Sequence, residues 1–162
     1  NEKIVKTSVI GKDRVGKHPL RKNPGAKNKL TLYDPTIGVD SLFKSISIDN
    51  FRIKIQFWDL TGQDIYFKYA KTSLKFTNQV LLIYDVTNKQ SYLSLKKWIN
   101  LVSTYYLNSE CVGVENVRIV IIGTKCDKRN KQKISQARVE KDFKYLKCKS
   151  FEVSSKTKEG ID

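Results

Sequence analysis

Gly11-Lys12-Asp13-Arg14-Val15-Gly16-Lys17-His18 sets two glycines with four residues between them and follows the second directly with a lysine. At that spacing, consecutive backbone N–H groups and the dipole of a following helix face the oxygens of a phosphate chain, while the lysine ammonium neutralises their charge. A serine or threonine is expected after the lysine, and His18 stands in its place.

Four further polar clusters recur down the chain. They are Asp34-Pro35-Thr36-Ile37-Gly38, Trp58-Asp59-Leu60-Thr61-Gly62-Gln63, Thr124-Lys125-Cys126-Asp127 and Ser154-Ser155-Lys156. Taken singly each has an ordinary reading: a loop threonine, a strand-end turn, a surface glutamine, the cap of a basic loop. Their order and their places after apolar runs give them weight together.

The elements that must position these clusters follow from hydrophobic periodicity. Ile4, Val5, Val9 and Ile10 mark a first strand running into Gly11. Ser41 to Ile48 and Phe51 to Trp58 are two β-type runs joined at Asp49-Asn50, which predicts a hairpin. Val80 to Tyr84 and Val117 to Ile122 are continuous apolar runs, the pattern of strands buried on both faces of a parallel sheet. Ser91 to Tyr106 reads as a helix with Ser91 as its N-cap and Leu93, Leu95, Trp98, Ile99, Leu101 and Val102 on its apolar side. Val139, Phe143 and Leu146 predict a second helix, and Phe151 and Val153 a last strand. The fold class is α/β, a six-stranded, mainly parallel sheet with one antiparallel hairpin strand and helices on both faces. Sites in that architecture lie at the carboxyl ends of the strands.

Together the five clusters resemble the five motifs of the Ras-like small GTPases, in order and over essentially the whole chain. Thr36-Ile37-Gly38-Val39-Asp40, Phe57-Trp58-Asp59 and Tyr84-Asp85-Val86-Thr87 look most like the Rab branch. The resemblance implies a three-layer P-loop G domain over residues 1–162. It also implies a GTP/GDP switch with Mg²⁺ as cofactor, acting in vesicle or intracellular protein transport, with slow hydrolysis that depends on an activating protein. By the same resemblance, Lys17 would bridge the β and γ phosphates, lined by the N–H groups of Asp13, Arg14, Val15, Gly16, Lys17 and His18. Thr36 and, through a water, Asp59 would hold Mg²⁺, with the part of His18 doubtful. The Gly62 N–H would contact the γ phosphate and Gln63 would orient the attacking water, the role the general phosphoryl-transfer scheme gives this glutamine. Thr124, Lys125, Asp127, Ser154, Ser155 and Lys156 would form the base site. There the two acceptor oxygens of Asp127 match the ring N–H and amine of guanine, Lys125 lies against the base, and the Ser155 N–H meets the guanine carbonyl. Effectors, exchange factors and GTPase-activating proteins would meet Tyr33–Gly38 and Gly62–Thr72.

Several residues depart from the family. Imidazole at His18 is a poor partner for a hard, oxygen-seeking ion. Asp13 sets a carboxylate beside the γ phosphate, where like-charge repulsion slows hydrolysis. Pro24-Gly25 interrupts the expected first helix, Lys29 stands near the usual base-stacking aromatic, and the connection between Tyr106 and Val117 is longer than in Rabs. These features keep open an alternative, a degenerate pseudo-GTPase scaffold with weak or Mg²⁺-independent nucleotide binding.

The formal charge of +15 raises a third class, a nucleic-acid binder. Thirteen of the excess charges lie in Lys12–Lys29 and Lys125–Lys149, without interleaved aromatics, a zinc-finger pattern or a recognition helix, so a lysine-rich solvated surface is favoured. Three unpaired-looking cysteines and the lack of a bilayer-length apolar run suggest a cytoplasmic setting, and the resemblance to Rabs implies the cytosolic face of an intracellular membrane for the full-length protein. The absence of methionine and the end at Asp162 lead us to expect a segment of a longer product, without the final helix and any prenylated tail.

Overall fold

A computed structural model describes residues 2–12, 14–17, 39–48, 51–60, 74, 77–108 and 117–161. Six strands form one sheet: β1 (Glu2–Gly11), β2 (Val39–Ile48), β3 (Phe51–Leu60), β4 (Gln79–Asp85), β5 (Arg118–Thr124) and β6 (Lys149–Val153). Their spatial order is β2-β3-β1-β4-β5-β6. Only the β2–β3 pair is antiparallel, and its register runs from Ile48 opposite Phe51 to Val39 opposite Leu60, as the hairpin expectation requires. The turn itself, 49–50, lies outside the described residues.

Continuous apolar strands are explained by a sheet packed on both faces. Along β4, Val80, Leu82 and Tyr84 enter one core with Ile10 and Ile121, whereas Leu81 and Ile83 enter a second with Val9, Phe57 and Ile122. The first core is closed by α1 (Lys89–Asn108) and α2 (Gln136–Asp142), through Tyr92, Leu95, Ile99 and Val102 from the one and Val139 from the other. Each such fully buried side chain contributes about 1.5–3 kcal/mol of transfer free energy. On the second face the loop residue Val15 joins the core. The helix expected directly after Lys17 falls on residues outside the described set.

Two helical details differ from the sequence reading. Asn88, not Ser91, caps α1: its Oδ1 accepts the N–H groups of Gln90 at 3.0 Å and Ser91 at 3.3 Å. Ser91 lies within the first turn, fully buried, and its hydroxyl donates to the Asn88 carbonyl at 2.8 Å. Leu93, placed on the apolar side by the sequence, is 43% exposed, and Tyr92 fills the core position instead. The second helix ends at Asp142. Phe143 leaves helical geometry at φ −115°, and Lys144–Leu146 continues as a 3₁₀ turn, although Val139 and Phe143 are both buried as expected.

Candidate functional site

Five parallel strands carry their carboxyl ends to one edge of the sheet. Register places Gly11 beside Ile83, Asp59 beside Val9, Asp85 beside Thr124, and Thr124 beside Val153. Four of the five sequence clusters therefore begin or end at a single edge. Val39 pairs with Leu60, so the chain enters β2 at the same edge.

The phosphate-type loop is built by close approach and by backbone handedness. A Cβ on Gly11 would stand 2.4 Å from the Ile83 carbonyl oxygen, so only glycine lets β1 and β4 meet there. Arg14 and Gly16 have positive φ, 61° and 90°, and a turn of this kind directs successive N–H groups into one concavity that suits an anion. Lys17 is 8% exposed, and its ammonium donates to the carbonyls of Gly11 at 2.6 Å and Lys12 at 3.1 Å. A positive charge is thus held over the loop by the loop itself. These features fit a phosphate chain.

The last residue of β5 and the one after it tie this loop to the opposite end of the site. Thr124 donates its single hydroxyl proton between the Val15 carbonyl at 2.5 Å and the Tyr84 carbonyl at 3.0 Å. Lys125, in the left-handed region at φ 63°, donates to the Arg14 carbonyl at 3.1 Å and to Asp85 Oδ2 at 2.5 Å. Arg14 thus contributes a carbonyl to the clasp. Asp127 lies in the first turn of the 3₁₀ helix Cys126–Lys131, and its Oδ1 accepts the Ser154 hydroxyl at 2.6 Å. Ser154 is fully buried, and its Oγ accepts the N–H groups of Lys156 and Thr157, each at 3.2 Å. Ser155 and Lys156 themselves are exposed.

Asp85 is a residue that sequence reasoning did not place in the site. Burial pushes its carboxyl up, but the Lys125 ammonium and the hydrogen bonds from Thr87 outweigh this and hold it below the ordinary carboxylate range. The available signal was a charged residue closing an apolar strand. By contrast, burial and neighbouring carboxylates push the Cys126 thiol up, so it is an inert packing group. Among the described residues no group of three metal-ligating side chains occurs, and no helix is long and apolar enough to cross a membrane.

Asp13, His18, Thr36, Gly62 and Gln63 lie outside the described residues, as do the segments Tyr33–Gly38 and Gly62–Thr72. Asp59 is placed by its backbone, on β3 opposite Val9.

A Ras family model matches residues 6–162. The chain belongs to the Ras family. It is a small GTPase, and its relatives are of the Rab and Ypt kind. It is 30% identical over 159 residues to the GTP-binding protein ypt2 of Schizosaccharomyces pombe, covering 98% of this chain and 76% of that protein. It is 31% identical to human Ras-related protein Rab-8B over 98% of this chain and 73% of the relative. Rat Ras-related protein Rab-13 is 27% identical, with 98% and 75% covered. The sheet order, the single antiparallel pair and the edge that gathers the loops agree with the G-domain fold. A Rab-like GTPase is accordingly favoured over a degenerate scaffold. GTP/GDP binding follows from family membership.

Proposed function

We propose that this GTPase is a Rab-like switch in vesicle or intracellular protein transport, a single G domain acting on the cytosolic face of an intracellular membrane. The observation that carries the reading of the site is the paired clasp of Thr124 and Lys125, which joins a phosphate-type loop to Asp127 across the ends of β4 and β5. A nucleotide has the same bipartite chemistry, anionic at one end and a planar hydrogen-bonding base at the other.

In this reading Lys17 and the N–H groups of residues 13–18 neutralise and orient the phosphates. Asp127 accepts from guanine, Lys125 lies against the base, the Ser155 N–H donates to the guanine carbonyl, and Ser154 and Lys156 hold that turn. Gln63 orients the attacking water, and the Gly62 N–H meets the γ phosphate. Mg²⁺ would be held by Thr36 and, through a water, by Asp59, whose oxygens fit a hard ion, whereas the His18 nitrogen fits it poorly; when bound it neutralises charge on the phosphate oxygens. Tyr33–Gly38 and Gly62–Thr72 change order with the γ phosphate and offer effectors, exchange factors and activating proteins a different surface in each state. Hydrolysis is slow without an activating protein.

Denaturing the purified protein and chromatographing what it releases tests the reading. One guanine nucleotide per chain is expected; release of adenine nucleotide, or of none after incubation with GTP, would remove the base-site assignment.

A further inference from the structure

The carboxyl end of β4 serves as a template for both halves of the site. The Val86 N–H donates to the Thr124 carbonyl at 3.1 Å, and the Val86 carbonyl accepts the N–H groups of Lys133 at 2.9 Å and Ile134 at 3.3 Å. The base-side loop is therefore laid along residues 85–88. Within this segment Asp85 is the charged group, and its carboxylate is fixed on both oxygens. Oδ1 accepts the Thr87 N–H at 2.9 Å and the Thr87 hydroxyl at 2.7 Å, and Oδ2 accepts the Lys125 ammonium at 2.5 Å. The Asp85 N–H donates to the buried Ser91 hydroxyl at 3.0 Å, which fixes the backbone that carries it.

The two partners differ in exposure. The Asp85 side chain is 7% exposed and that of Lys125 33%. A lysine side chain is long and flexible, with three donors and no preferred plane, so its ammonium goes where its partners place it. Here the partners are a buried carboxylate that cannot swing away and the Arg14 carbonyl of the phosphate-type loop. Removing the carboxylate leaves one neutral acceptor and a mobile charge beside the bound nucleotide.

We propose that Asp85 is a positioning residue for nucleotide retention, acting through Lys125, whose ammonium it locks between the phosphate loop and the base. The proposal rests on the reading of residues 11–17 and 124–127 as the nucleotide site. Asp85 touches no nucleotide; Thr87 serves Asp85, and Asp85 serves Lys125.

The test is release of a fluorescent GDP analogue, chased with excess GDP, from the native protein, Asp85→Asn, Lys125→Met and the double variant. Asp85→Asn keeps the shape and removes the charge, and is expected to speed release about tenfold, as for loss of one charge-assisted hydrogen bond. In the Lys125→Met background the same exchange is expected to change the rate by less than about twofold, because its effect runs through the missing ammonium. A native-like rate in Asp85→Asn overturns the proposal, and so does an undiminished effect in the double variant, which would assign Asp85 a general structural role. If Asp85→Asn does not fold, Thr87→Val, which deletes only the hydroxyl bond, decides: faster release restored by Thr87→Ser supports the proposal, and an unchanged rate overturns it. Nucleotide content of the native protein separates the two levels. Native protein without guanine nucleotide ends the site reading and this proposal together, whereas native protein that holds it, beside an Asp85→Asn variant that releases it at the native rate, ends only the proposal.

Discussion

Asp127 and Ser154 lie 27 positions apart, and the serine hydroxyl donates to the Asp127 carboxylate at 2.6 Å. Two loops that leave different strands are thereby joined at the group assigned to the base. Because Ser154 Oγ also accepts from Lys156 and Thr157, its proton is directed to Asp127 and the carboxylate keeps one orientation.

Asp127→Asn replaces one acceptor oxygen by a donor that no longer suits the amine of guanine but suits the carbonyl that xanthine carries there. Guanine nucleotide affinity should fall by about 2 kcal/mol or more, with a gain for xanthine nucleotides. Titration of both nucleotides against native and variant protein checks this. Unchanged GTP binding would show that the base lies elsewhere.

Gly11→Ala should act on the frame before the ligand. The added carbon meets the Ile83 carbonyl oxygen at 2.4 Å and Val15 Cγ2 at 3.2 Å, and a backbone atom held in a ladder cannot give way cheaply. A cost of about 1–3 kcal/mol is expected, with β1 and β4 forced apart below the phosphate-type loop. Thermal melting should fall by several degrees and nucleotide affinity with it. A melting temperature equal to the native value would contradict the close approach of the two strands.

How much of this was legible depends on whether the signal is local. The β4 run Val80 to Tyr84 announced a two-faced strand by itself, and the two-residue gap between Ile48 and Phe51 set the hairpin register. The start of α1 was misplaced because Asn88 and Ser91 are both good caps and lie within one turn; only the hydrogen bonds choose between them. The end of α2 was hidden because Val139, Phe143 and Leu146 keep helical spacing even where the backbone tightens at Phe143. Asp85 was missed for a different reason. Its partner Lys125 is 40 positions away, and a carboxylate at a strand end carries no spacing that names a partner.

Gln63→Leu removes the polar group assigned to the attacking water while sparing most contacts to the nucleotide. Single-turnover GTP hydrolysis should be lost and GTP affinity nearly retained. Measured with and without a Rab-type activating protein, a native rate equal to that of the variant under both conditions would show that Asp13 has disabled the step.

Tyr92 offers a pH-dependent test of the packing behind the site. Its hydroxyl donates to Asp142 Oδ2 at 2.7 Å, and burial followed by this bond pushes the phenol well above its ordinary range. Above about pH 10 the unfolded chain loses that proton while the folded one keeps it, so stability falls as pH rises. The Tyr92 bond also holds the Asp142 carboxyl low, and that contribution is present above the ordinary carboxylate range and lost as pH falls below it. Tyr92→Phe should therefore be less stable by about 1–2 kcal/mol at neutral pH and show a flatter decline on both limbs. Melting temperatures of the two proteins across pH would expose a difference that does not change with pH, which would exclude this linkage.

His18→Ser addresses the departure from the family with most bearing on the metal. A serine hydroxyl would supply a compact oxygen next to Lys17, whereas imidazole brings a larger ring and a nitrogen that Mg²⁺ accepts reluctantly. The variant should bind GTP more tightly than the native protein in excess Mg²⁺ and be sensitive to chelation, with much less change in EDTA. The native protein should show the weaker Mg²⁺ dependence, read by nucleotide titration in each buffer and independently of turnover. Native binding that is already tight and collapses on chelation would mean that the ion is held by Thr36, Asp59 and phosphate oxygens without help from position 18. His18 would then be a tolerated neighbour of the phosphates, and this GTPase would depend on Mg²⁺ as much as a relative that carries the hydroxyl.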